Sequence, residues 1–141
     1  MPKKKTGKAS IIQLPKRPKT QILAKPEISK KRISKLKKNF AEKYELWKTL
    51  APEKMSGIMN AGAAYASALG KTKMFLQKSE VEEILANVCM AAFREIKIIP
   101  KKEFVKNAAR IWFERAAESA TLAGERKKAA TLRQKTRFLA Q

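Results

Sequence analysis

The sequence predicts an all-α protein: an antiparallel bundle of four to five helices that follows an extended basic N-terminal arm. Apolar residues recur at steps of three and four over most of the chain, and no stretch shows the period-two alternation of a half-buried strand. Prolines and glycines separate the periodic segments. A chain of 141 residues is long enough for one domain with one modest core.

Residues 1–27 are the predicted arm. Its four prolines disfavour regular helix and favour extended conformations. Residues 1–38 carry 14 basic residues and one glutamate, so most of the surplus charge lies in the first quarter of the chain. Two apolar clusters interrupt the arm, and we expect them to anchor it on the bundle or on a neighbouring subunit; a short local helix or a chance cluster is the alternative. They are Ile11, Ile12 and Leu14, then Ile22 and Leu23.

The remaining residues, 28–141, are the predicted bundle with a basic C-terminal helix. Helices are expected near residues 27–50, 52–69, 79–98, 101–122 and 125–139. Pro26 suits the first turn of the first helix. That helix has an apolar stripe and an opposite face of Lys31, Lys35 and Lys38, so its start can face phosphate while its later turns enter the core. We interpret the aromatic residues as core first and as base-stacking platforms second. The stripe is Ile33, Leu36, Phe40, Tyr44 and Trp47.

The second helix, from Pro52 to a stop at Gly70, has small residues on most of its faces. Small side chains permit close approach by another helix, either within the chain or in another subunit. A loop is expected over residues 70–78. The third helix is expected to begin at a capping box in which Ser79 precedes Glu82 by three residues, with Glu82 and Glu83 serving the helix N-terminus.

Further along, Cys89 is interpreted as a small buried residue of the third helix, which Pro100 ends. In the fourth helix Arg110 and Glu114 have the spacing of an ion pair, and Gly124 is its natural cap. The last helix has a weak apolar stripe and is heavily basic. The apolar face predicted for the fourth helix is Phe104, Ala108, Ile111, Trp112 and Phe113.

Composition excludes several classes of function. The formal charge is +21, and the chain has no histidine and no aspartate, since all 12 acidic residues are glutamate. A Ser-His-Asp triad and a histidine-based zinc site cannot be built, and the single Cys89 cannot form an intramolecular disulfide. We therefore expect a protein that is not an enzyme, with no catalytic residue, no metal site and no cofactor.

Charge of this size implies a polyanionic partner. No run of about 18 apolar residues is present, and the first eight residues lack the apolar core of a signal peptide, so neither a transmembrane segment nor a signal peptide is expected. Membrane-surface contact is possible through the last helix, but that helix lacks a wide apolar face and would insert weakly. The abundance of lysine and glutamate is typical of thermophiles, although both residues are also good helix formers.

Lysine and arginine neutralise phosphates without reading sequence, and the dominance of lysine favours point-charge contacts over bidentate base recognition. We predict low sequence specificity. The predicted nucleic-acid-binding residues are the basic residues of the arm, of the start of the first helix and of the last helix. They are Lys3, Lys4, Lys5, Lys8, Lys16, Arg17, Lys19, Lys25, Lys30, Lys31, Arg32, Lys35, Lys38, Arg126, Lys127, Lys128, Arg133 and Arg137.

An arm of lysine and proline, in the runs MPKKKTGK and PKRPK, that leads into a helical bundle without catalytic residues resembles the major capsid proteins of archaeal filamentous and rod-shaped double-stranded DNA viruses. The resemblance covers the whole chain at the level of architecture. It implies that the arm and adjoining helices wrap duplex DNA in A form. It also implies a homodimer, or a heterodimer with a related capsid subunit, assembled into the helical filament of a virion.

Two other classes fit the same composition. A ribosomal protein, archaeal or organellar, also combines basic tails with a small helical body and binds RNA by shape and backbone. A histone-like architectural protein of chromatin is the third class. A coat protein needs large contacts between subunits, so it is expected to leave apolar residues uncovered on the isolated bundle.

Overall fold

The computed structural model describes residues 29–140, which form five α-helices and no strand. The helices are α1 (Lys30–Thr49), α2 (Ser56–Lys71), α3 (Phe75–Glu95), α4 (Ile99–Leu122) and α5 (Arg126–Ala140). Each helix packs against its neighbours in the chain, and the connections are three to six residues long, so consecutive helices run antiparallel. The all-α prediction is confirmed for this part of the chain. The predicted arm lies outside the described residues.

Two clusters of buried side chains form the core, and α3 contributes to both. Phe40 of α1 packs with α2 and with Val81, Leu85 and Val88 of α3 in the first cluster. The second cluster joins the other side of α3 to α4 and α5, with many alanines that let the helices approach closely. Trp112 packs against both clusters, so the two form one continuous core.

The ends of the first two helices differ from the predictions. α1 begins at Lys30, because the Ser29 hydroxyl caps it by accepting a hydrogen bond from the Arg32 amide at 3.1 Å. α2 begins at Ser56 and not at Pro52, whose carbonyl accepts a hydrogen bond from the indole of Trp47 at 3.0 Å within the connecting turn. Gly70 is not the stop of α2. It lies inside the helix, where a Cβ would approach the Lys78 side chain to 3.0 Å.

The loop predicted over residues 70–78 is wrong for most of its length, since α3 begins at Phe75. The capping box is therefore wrong too. Ser79 is buried inside the helix, and its hydroxyl donates to the Ala116 carbonyl of α4 at 2.7 Å. Glu82 is also buried and does not serve a helix N-terminus. Pro100 does not end the third helix, which stops at Glu95, but lies in the first turn of α4.

Three other predictions concern single features. Cys89 is fully buried as predicted, and burial raises the pKa of its thiol to about 11. Arg110 and Glu114 form the predicted ion pair at 2.9 Å. Phe104 does not belong to the apolar face of α4, because 71% of it is exposed; Val105 and Ala109 take that face instead.

Candidate nucleic-acid interface

The predicted basic residues of α1 are all exposed. Lys30, Lys31, Arg32 and Lys35 follow one another along the first turns of the helix, and Lys38 lies farther along it. No acidic residue occurs in the first turn of α1. The start of this helix therefore offers uncompensated positive charge to solvent. The predicted arm residues Lys3, Lys4, Lys5, Lys8, Lys16, Arg17, Lys19 and Lys25 lie outside the described residues.

The predicted basic residues of α5 are in more varied surroundings. Arg126 and Lys127 are exposed, but Lys128 is half-buried and lies 3.8 Å from the Glu83 carboxylate of α3. Arg133 donates to the Thr121 hydroxyl at 3.0 Å. Arg137 is exposed in the last turn of the helix. Lys128 is thus partly neutralised inside the protein and is less available to a phosphate than the others.

The antiparallel topology brings some of these residues to one end of the bundle. The starts of α1, α3 and α5 share that end with the final turns of α2 and α4. We call it the basic end, defined by Lys30, Lys31, Arg32, Lys71, Lys73, Arg126 and Lys127. The chain segment that precedes Ser29, with eight basic residues and one glutamate, joins the bundle here. Lys38 and Arg137 lie away from this end.

Lys71 and Lys73 were not among the predicted binding residues. Both lie in the segment interpreted as a loop, and both are exposed. Together with Ser29, Lys30 and Ile33 of α1, and with Thr72 and Met74, they line a cleft of about 550 Å³. In the sequence, these two lysines directly follow the predicted end of the second helix. In an antiparallel bundle that end lies beside the start of the first helix, and this placement could have indicated a basic site there.

The opposite end of the bundle carries the four most exposed large apolar side chains of the described residues. Ile98 and Ile99 are 68% and 70% exposed at the connection between α3 and α4, and Phe104 is 71% exposed. Phe138, in the last turn of α5, is 73% exposed. We call these four residues the apolar end. This end also carries lysines, including Lys97 and Lys101, and the basic end has an uncovered apolar residue of its own, Leu122, which is 64% exposed.

The aromatic residues of α1 pack inward. Tyr44 and Trp47 stack with ring centroids 6.0 Å apart, and both contact the core cluster shared by α1, α2 and α3. Phe40 is buried against Tyr65, with ring centroids 5.9 Å apart. These contacts confirm the interpretation of the stripe as core.

A compact polar cluster of Lys78, Glu82 and Ser119 joins α3 and α4. The Glu82 carboxylate accepts from the Lys78 ammonium at 2.7 Å and from the Ser119 hydroxyl at 2.6 Å. The Lys78 ammonium also lies 3.1 Å from the Ser119 hydroxyl oxygen. Glu82 and Ser119 are 2% and 1% exposed, so a substrate has no access to them, and the cluster connects the two helices.

Within residues 29–140 no group of three or more cysteine or acidic side chains could hold a metal ion. Over the same range no helix is long and apolar enough to cross a bilayer. Comparison of the chain with protein-family models, with curated proteins and with solved structures finds no match.

Proposed function

We propose that this protein is a structural DNA-packaging protein. It coats duplex DNA along the phosphate backbone without reading its sequence, and its subunits assemble into a helical filament, as in the capsids that the chain resembles. The observation that supports this most is the arrangement of two surfaces. Basic residues gather at the end of the bundle where the arm joins, and the four most exposed large apolar side chains of the described residues lie at the other end.

The basic end supports contact with phosphates. Lys30, Lys31, Lys71 and Lys73 are point charges on flexible stems, which neutralise phosphate but do not make the planar bidentate contacts that read bases. Binding of this kind releases counterions, is steeply salt-dependent and is largely indifferent to sequence. Such a surface suits a protein that must cover any stretch of a genome.

The apolar end supports assembly. Ile98, Ile99, Phe104 and Phe138 are each more than two-thirds exposed. Large uncovered apolar side chains are typical of surfaces that contact other proteins. A ribosomal protein needs mainly RNA contacts, whereas a coat protein needs contacts between subunits, and this difference favours the coat.

The test is to mix the purified full-length protein with long duplex DNAs of unrelated sequence. We expect regular filaments by negative-stain electron microscopy, similar affinities for all sequences, and a logarithm of affinity that falls steeply with the logarithm of salt concentration. A preference of about a thousandfold for one duplex site contradicts a coat. Isolated monomers on DNA, together with tight binding to ribosomal RNA, would instead assign the protein to the ribosome.

A further inference from the structure

Three lysines line the cleft between the start of α1 and the α2–α3 turn, residues 71–74. Lys30 lines it from α1, and Lys71 and Lys73 line it from the turn. All three lysines are exposed, and none takes part in an ion pair within the described part of the chain. No acidic residue is among the described residues that line the cleft. The three lysines that line the cleft therefore have no acidic partner among the described residues.

The turn that carries two of these lysines has an unusual residue at its centre. The Met74 amide donates to the Leu69 carbonyl at 2.9 Å, and the Lys73 amide donates to the Gly70 carbonyl at 3.1 Å. This pair of hydrogen bonds is the Schellman motif, which places one residue in the left-handed region. Here that residue is Lys73, with φ of 59°, and it is the only non-glycine residue with positive φ between residues 29 and 140.

The same motif ends α4 and uses glycine. The Glu125 amide donates to the Ala120 carbonyl at 2.8 Å, and the Gly124 amide donates to the Thr121 carbonyl at 3.0 Å. Gly124 has φ of 81°, a conformation that glycine adopts without steric cost. Glycine thus fills the corresponding position of the α4 turn without strain. A lysine in this conformation costs more than a glycine, so the α2–α3 turn carries a charged side chain at some expense of stability.

The hydrogen-bond donors of the turn other than the lysine ammonium groups already have partners. The Thr72 hydroxyl lies within hydrogen-bond distance of the Ala68 and Leu69 carbonyls, and the amides of residues 72–74 all bond within the turn. The donors that the turn leaves for a ligand are therefore the ammonium groups of Lys71 and Lys73, and Lys30 lines the same cleft from the start of α1. Three mobile point charges around one space suit a tetrahedral phosphate, which has several negatively charged oxygens.

We propose that this cleft binds a backbone phosphate of duplex DNA, held between Lys30 of α1 and Lys71 and Lys73 of the turn. The proposal rests on the proposed function. It adds a specific phosphate site within the helical bundle to the basic residues already predicted to contact DNA. The cleft opens where the chain enters α1, so a DNA strand gripped by the segment before Ser29 passes the cleft next. The contact fixes the position of the bundle on the DNA.

Charge removal tests the site. In Lys71→Gln/Lys73→Gln, two phosphate contacts are lost, so the slope of log affinity against log salt should decrease by about 1.8 and affinity at about 0.1 M salt should fall tenfold or more. The matched control is Lys97→Gln/Lys101→Gln, two exposed lysines at the apolar end. We expect the control to change the slope by less than about 0.5. Equal effects of the two pairs would overturn the proposal.

A second variant separates binding from folding. Lys73→Gly relieves the left-handed strain, so its thermal midpoint should rise by about 2–4 °C while its affinity for duplex DNA falls about fivefold to tenfold. A structural role for Lys73 predicts that stability and affinity change in the same direction. A stabilised variant that binds as tightly as the unaltered protein therefore overturns the assignment of Lys73.

Inorganic phosphate separates this proposal from the proposed function. Phosphate is titrated against chloride at constant ionic strength, and the backbone amide chemical shifts are followed by NMR. The amides of residues 29–30 and 71–74 should shift most, and these shifts should vanish in Lys71→Gln/Lys73→Gln. Shifts spread over all lysine-rich surfaces would overturn the cleft. If the unaltered protein does not bind duplex DNA, the proposed function fails, and confined phosphate shifts then support an anion site without DNA.

Discussion

Glu82 is almost fully buried between α3 and α4, where it accepts hydrogen bonds from Lys78 and Ser119. Lys78 keeps 24% of its side chain exposed, so its charge is only partly desolvated. A buried carboxylate is stable only when its partners are in place, because its lost hydration must be replaced. The cluster therefore specifies how α3 and α4 align, whatever its net contribution to stability.

We predict that Glu82→Leu lowers the free energy of unfolding by about 3 kcal/mol, because Lys78 and Ser119 lose their acceptor. The triple variant Lys78→Met/Glu82→Leu/Ser119→Ala should lose less than the single variant, since it removes all three polar groups together. Urea denaturation followed by circular dichroism measures both. The control Glu45→Ala breaks an exposed pair with Lys48 and should cost less than about 1 kcal/mol. A triple variant less stable than Glu82→Leu would contradict this account.

At the scale of the element, four of the small residues of α2 serve contacts inside the chain. Ala61, Gly62, Ala66 and Ala68 are buried against neighbouring helices. A Cβ on Gly62 would overlap the Leu85 Cδ2 and lie 3.0 Å from the Leu85 Cδ1 and Cγ, and Leu85 is itself fully buried. The close approach of α2 and α3 thus depends on the absence of a side chain at Gly62. The sequence alone left open whether small residues of this helix contact another helix of the chain or another subunit, and at these buried positions they contact helices of the same chain.

Two glycines of α2 give opposite predictions for the same substitution. Gly62→Ala should lower the free energy of unfolding by about 1–3 kcal/mol, because overpacking against Leu85 outweighs the gain in helix propensity. Gly57→Ala should raise it by up to about 1 kcal/mol, since Gly57 is exposed and a Cβ there meets only Lys43, at 3.7 Å. Thermal and urea unfolding measure both. If both variants are stabilised, the helices are not in the close contact described.

The capping box predicted at Ser79 is wrong for a physical reason that also belongs to the scale of the element. The series Ser79, Glu82 has the spacing of a capping box, but the same spacing also places the two residues on one face of a continuing helix. α4 presents the Ala116 carbonyl and the Ser119 hydroxyl to that face. Ser79 and Glu82 thus form hydrogen bonds with groups of α4 and not with free amides at a helix end. The spacing of the two residues in the sequence is the same in either arrangement and does not distinguish them.

For the whole molecule, both core clusters are built from residues of the described bundle. We predict that deletion of residues 1–25 leaves the helical circular-dichroism signal intact, because the bundle has its own core, while DNA packaging is abolished with the eight basic residues that are removed. Circular dichroism and filament assembly on duplex DNA are the two measurements. Loss of folding would mean that the arm, and in particular its apolar clusters, is part of the core.

The sequence by itself determined the helical class, the approximate helices, the core role of the α1 aromatic stripe and the burial of Cys89, because these depend on periodicity and polarity along the chain. Its resemblance to capsid proteins remains a proposal. Only the tertiary structure decided that Ser79 and Glu82 face α4, that Phe104 is exposed, and that Lys71 and Lys73 share a cleft with Lys30. Each depends on which helix lies opposite, and that is set by packing between residues distant in the chain.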